Sequence, residues 1–253
     1  MHPAHPIPCP GFCDPVASWT HLLAAGAAFL MAPWLLRAVR GGRARAGLGV
    51  FLFGAVTLFA LSGTYHLIDR GTVARDVLQR LDHAAIWTMI AGTITAIHVI
   101  AFRGFWRWGM TALVWTLAIT GLVLKTVFFE SIPFALGLGL YLLLGWMGMV
   151  AFARLRRLHG RALARPVLQG GLVYTAGALV ELAAWPTPVA GVIGPHELFH
   201  VAVIGGAALH ARGIVALARA LPPEPARVGS GPEDGPGDLS SPFGSRAGEA
   251  VLA

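Results

Sequence analysis

Four residues separate Ser62 from His66 in "SGTYHL", and four separate His196 from His200 in "HELFH". On a helix, four residues are a turn of about 400°, so each pair lies on one face and can address a single point. Three imidazoles from two helices offer three neutral nitrogens to a zinc ion and leave its fourth position open for water. We therefore expect His66, His196 and His200 to ligate Zn2+. Asp82, in "LDHAAIW", is the carboxylate expected to orient or deprotonate that water, and Ser62 to donate a hydrogen bond to the water or to a substrate carbonyl.

These residues stand in apolar surroundings. Of the 253 residues, 56% are hydrophobic and 12% charged, and the mean hydropathy is +0.67. Such a composition indicates an integral membrane protein. Apolar runs of about 20 residues, the length that crosses a bilayer, recur near residues 18–40, 46–68, 82–102, 106–127, 132–153, 166–184 and 196–218. Backbone polar groups in lipid must be satisfied within the segment, and barrel strands would alternate in character, so the runs are expected to be helices. The expected architecture is an all-α integral membrane protein, a seven-transmembrane-helix bundle over residues 18–220. An N-terminal arm over 1–17 precedes it, and a Pro-, Gly- and Ser-rich disordered tail over 221–253 follows.

Consecutive helices in such a bundle run in opposite directions, which assigns each polar residue to an end. Ser62 and His66 close the second run, Asp82 and His83 open the third, Glu181 closes the sixth, and His196, Glu197 and His200 open the seventh. His21, in "SWTHLLAAG", begins the first. All fall at the N-terminal face. Intramembrane ionisable groups are costly and mark functional positions. Glu181, Glu197 and His21 are candidates for supporting partners or interfacial residues, and His83 for a hydrogen-bonding neighbour of Asp82. His210 lies about 15 Å along its helix from His200, too far to share a metal. It and His98 reach a similar depth near the opposite face, where a polar contact within the bundle or an interfacial position is expected for both. In the arm, His2, His5, Cys9 and Cys13 match no zinc spacing and imply no disulfide framework.

The net charge of +7 does not indicate a nucleic-acid partner, because no basic stripe is interleaved with aromatics. The basic residues instead divide by face. Four, Arg70, Arg75, Arg80 and Lys125, fall on the N-terminal side, and thirteen fall on the other before the tail. By the positive-inside rule the N-terminus is outside and the C-terminus cytoplasmic.

"SGTYH", "LDHAAIWTMIAGTITAIHV", "GGLVYTAGAL" and "HELFH", in that order and preceded by "THLLAAG", resemble the bacterial hemolysin III proteins. These are the prokaryotic branch of the progestin and adipoQ receptor (PAQR) family. The resemblance covers roughly residues 14–218. It implies seven helices in the bacterial inner (plasma) membrane with one zinc site, its three histidines at His66, His196 and His200, its water-associated aspartate at Asp82 and its serine at Ser62. The wider superfamily includes alkaline ceramidases, which implies zinc-dependent hydrolysis of a lipid amide or ester, with a membrane lipid as substrate or ligand. The receptor members imply an alternative, a non-catalytic sensor or membrane-homeostasis factor with structural zinc. A pore-forming haemolysin comes last, for the loops are short and no ring of charges lines a channel. The eukaryotic receptors imply the reverse orientation, against the charge count. The sequence leaves the oligomeric state open.

Overall fold

In a computed structural model the chain is described over residues 14–221. His2, His5, Cys9 and Cys13 and the expected tail beyond residue 221 lie outside the described residues. Eight helical segments follow one another: α1 Pro15–Arg37, α2 Gly42–Leu67, α3 Val73–Ala101, α4 Phe105–Val127, α5 Phe134–Trp146, α6 Gly148–His159, α7 Arg161–Ala183 and α8 Pro195–Ala220. Segments α5 and α6 form a single path of 26 residues, Phe134–His159. They are separated at Met147, where Met147 N–H donates to Leu144 C=O and Val150 N–H to Met147 C=O. Such three-residue bonds tighten the helix locally, and the flanking Gly145 and Gly148 permit it.

Six of these rods are long and apolar enough to cross a membrane: α1, α2, α3, α4, the α5–α6 path and α8. The chain is therefore an all-helical, multi-pass membrane protein. Helix α7 matches α1 and α4 in length, at 23 residues, but is more polar, since it carries Arg161, Arg165, Gln169 and Glu181. The most enclosed helix is α3, with 78% of its apolar span buried against 11% for α1.

Two boundaries differ from the sequence expectation. Helix α1 begins at Pro15, so residues 15–17 are its first turn rather than part of an arm. Proline there has the φ a first helical turn requires and no N–H to leave unpaired. Helix α3 begins at Val73, nine residues before the apolar run, with the Thr72 hydroxyl accepting from Arg75 N–H at 3.3 Å. Its polar first turns are held by this cap and by ion pairs, which hydrophobic periodicity does not register.

Close approach of α2 to α3 rests on absent side chains. A Cβ on Gly47 would stand 3.3 Å from Ala96 Cα, one on Gly54 3.2 Å from Met89 Cα, and one on Gly92 3.1 Å from the Val50 carbonyl. Small residues at such seams let helix backbones touch, which in lipid is a main source of association. Overpacking typically costs about 1–3 kcal/mol, so Gly54→Leu is expected to lower the melting temperature of the detergent-purified protein. Gly49→Ala, with nothing within 4 Å of its added carbon, should melt as the parent does.

Candidate metal centre

The last carbonyls of a helix have no donors of their own, and those of α2 are met from two other helices. Asp14 N–H donates to His66 C=O at 3.0 Å, and the Ser18 hydroxyl to Gly63 C=O at 2.8 Å. Arg75 Nη1, from the first turn of α3, donates to the carbonyls of Tyr65 and Ile68 at 3.3 and 2.5 Å. Glycine is required at 63, because a Cβ there would lie 2.9 Å from Leu22 N and 2.7 Å from Leu22 Cγ. In this way the end of α2 is tied to α1 and α3, and His66 is fixed with it.

Helix α8 begins after Gly194, with Pro195 in its first turn and the Glu197 carboxylate accepting from Gly194 N–H at 2.8 Å. Glu197 is thus a capping residue. The next turns carry His196 and His200, and the structure brings both to His66. One ligand nitrogen or other donor atom from each of the three residues lies within 4.8 Å of the other two. The ring centroids stand 4.9 Å apart for His66 and His196, 4.9 Å for His66 and His200, and 4.5 Å for His196 and His200. His66 and His200 are 4% and 2% exposed, whereas His196 is only part-buried.

The orientation of these rings bears on what they can hold. His66 Nδ1 lies 3.1 Å from Asp14 Oδ2, and His196 Nδ1 lies 3.1 Å from Glu181 Oε1. A carboxylate accepts, so each Nδ1 carries the proton and donates. The two Nε2 atoms then face one another at 3.1 Å with their lone pairs. Such an arrangement is relieved by a proton on one ring or by a metal cation between the two. Nitrogens on a tetrahedral zinc at about 2.0–2.1 Å stand about 3.3 Å apart, close to the separation seen. The His200 ring, with its centroid within 4.9 Å of both others, offers the third nitrogen. The residues present fit a transition-metal ion, and their nitrogen chemistry suits zinc among several.

Asp14 extends the site outward. Its Oδ1 accepts from Arg70 Nη2 at 2.8 Å, and its Oδ2 also accepts from Arg75 Nη2 at 2.7 Å. Burial alone would raise its carboxyl, but the hydrogen bonds of His66, Arg75 and Arg70 hold it well below the usual carboxylate range. Asp14 is absent from the sequence expectation, and Arg75 figures there only as a basic residue of that face. An Asp followed by Pro at a helix start was the available signal, masked by the proline-rich stretch before it.

The remaining candidates divide. Ser62 and Asp82 are buried, within hydrogen-bonding reach of each other, and line one cavity together with His196 and His200. His21 also lines it and stacks on His200 with centroids 3.8 Å apart. His83 Nδ1 bonds the Gln79 carbonyl at 2.8 Å and lies 4.0 Å from Asp82 Oδ2. His98 and His210 take separate partners. His98 Nδ1 bonds the Trp106 carbonyl, while His210 stacks on Tyr174 against Gly170. The cavity measures about 220 Å³ and continues from the histidines to His210 between largely apolar walls, among them Met89, Ile94, Leu138 and Phe152.

Comparison with known proteins shows the family. The family model described as haemolysin-III related matches residues 13–211. Hemolysin-3 of Bacillus cereus is 32% identical over 180 residues, 69% of this chain and 77% of the relative. The hemolysin-3 homolog of Bacillus subtilis (strain 168) is 28% identical over 159 residues, 63% of this chain and 71% of the relative. With the match spanning helices α1 to α8, the chain belongs to the haemolysin III family.

Proposed function

We propose that this protein holds one zinc ion on His66, His196 and His200 and hydrolyses an amide or ester bond of a membrane lipid. The observation that carries this reading is the shared cavity. His196, His200, Asp82 and Ser62 meet at the polar end of an otherwise apolar space reaching about 15 Å along α8 to His210. A lipid chain fits the apolar part and presents its carbonyl to the polar end.

Zinc bound there would supply Lewis acidity, polarising a carbonyl and making water acidic enough to attack near neutral pH. Asp82 accepts the proton of the attacking water and returns it to the departing amine or alcohol. The Ser62 hydroxyl, one turn from His66, donates to the carbonyl oxygen or keeps Asp82 turned toward the water. Asp14 and Glu181 hold two of the three rings by their outer nitrogens, so that their inner nitrogens converge. The apolar walls keep bulk water from competing.

In the same reading α7 is the remaining crossing, giving seven spans. The thirteen basic residues on the far side support a C-terminus in the cytoplasm of a bacterial plasma membrane, with the metal centre toward the outside. The centre also bridges α2 and α8, which supports a second reading, a structural clip in a non-catalytic sensor or membrane-homeostasis protein.

Elemental mass spectrometry of the detergent-purified protein should find about one zinc per chain. His66→Ala and His200→Ala should lose it while staying folded. Asp82→Asn should keep the metal and lose about 10²–10⁴-fold in hydrolysis across a panel of lipid amides and esters. A zinc-loaded parent that hydrolyses none of them, with Asp82→Asn unchanged in cells, would favour the clip. A reporter fused after Ala220 should be active only in the cytoplasm; activity outside reverses the orientation.

A further inference from the structure

Two of the three candidate ligands are held by carboxylates, and the two carboxylates differ in their surroundings. Asp14 is 5% exposed. It grips His66 at both ends, accepting from the ring at Nδ1 and donating its own N–H to the backbone carbonyl. The same carboxylate takes one guanidinium on each oxygen, Arg70 at 2.8 Å and Arg75 at 2.7 Å. Glu181 holds His196 at 3.1 Å, and among the described residues no arginine or lysine ion-pairs with it. The charge of Asp14 is thus answered by two cations, the buried Arg75 and the half-exposed Arg70, whereas among the described residues Glu181 faces its histidine without either.

We propose that Asp14 is a positioning residue of the metal centre, one that aims His66 and screens the bound cation from Arg70 and Arg75. The inference rests on the metal-site reading above. Without the aspartate charge, the buried Arg75 guanidinium would face a divalent cation across a single imidazole, in surroundings where charge is poorly screened, and the half-exposed Arg70 would add a weaker repulsion. Arg75 cannot leave, because its other nitrogen caps the carbonyls of Tyr65 and Ile68. Asp14 is therefore what makes a basic cap compatible with a cationic site. The consequence has a sign that packing alone would not give: removing the arginine charge should offset removal of the aspartate charge.

Zinc affinity of the full-length protein in detergent, measured by competition with a chelator, tests this, with melting of the zinc-free protein as the control on folding. Asp14→Asn is expected to bind zinc about 10–100-fold more weakly, the range for residues that orient a ligand, and more weakly than Glu181→Gln. Adding Arg75→Gln, which keeps an N–H donor for the carbonyls, should restore about tenfold of the loss. Arg75→Gln alone should bind zinc at least as tightly as the parent, and this arm stands even if Asp14→Asn fails to fold. Weaker binding by Arg75→Gln alone, losses that simply add in the double variant, or parent-like affinity in Asp14→Asn would each overturn the proposal. A folded parent that takes up no zinc would instead remove the metal-site reading, and the role of Asp14 with it.

Discussion

Two imidazole nitrogens facing one another across 3.1 Å must share either a proton or a metal ion. In this protein each ring is committed to that direction, because its other nitrogen already donates to a carboxylate. His66 cannot turn without abandoning the buried Asp14 carboxylate, and His196 would give up its bond to the part-buried Glu181. The polar layer is built around this constraint. Asp14 comes from the start of α1, Glu181 from the end of α7, and His21 fills the remaining side of His200 by stacking on it. The result is a site whose geometry is set before any ion arrives.

The same layer resolves a backbone problem. A helix ending within the bundle leaves carbonyls without donors, and at the end of α2 these are collected by Asp14, Ser18 and Arg75. The residues that satisfy the backbone are those that surround His66. Capping of α2 and positioning of a metal ligand are one structure, and glycine at 63 admits α1 closely enough to complete it. Deeper in the bundle the demands are simpler. Helices α2 and α3 meet through glycine, and isolated polar side chains such as Thr93 and Thr95 bond carbonyls one turn back.

The cavity joins these two regimes. Its polar end carries groups able to activate water and move a proton, and its length is lined by aliphatic and aromatic side chains from α3, α5, α6, α7 and α8. A substrate soluble in water would find few partners along such walls. One dissolved in the bilayer would exchange one apolar environment for another, at little cost. That asymmetry, rather than any individual side chain, is what supports the proposal of a lipid.

The amino-acid sequence by itself determined the class and the layer. Runs of about 20 apolar residues require helices in a membrane, and strict alternation of direction carries Ser62, His66, Asp82, His196 and His200 to one face, with four-residue spacing turning each pair to one side. Only the tertiary structure decided what supports them. Asp14 and Arg75 sit outside the apolar runs, one before a proline and one in a charged stretch, and their roles follow from the His66 ring that Asp14 reaches 52 residues away and the Asp14 carboxylate that Arg75 reaches 61 residues away. His98 and His210 share a depth, yet the tertiary structure gives them different partners. Hydrophobic period records how far along its helix a residue lies; it does not record which neighbour completes its hydrogen bonds, because that depends on helix rotation and close approach, which are set by packing across the whole bundle.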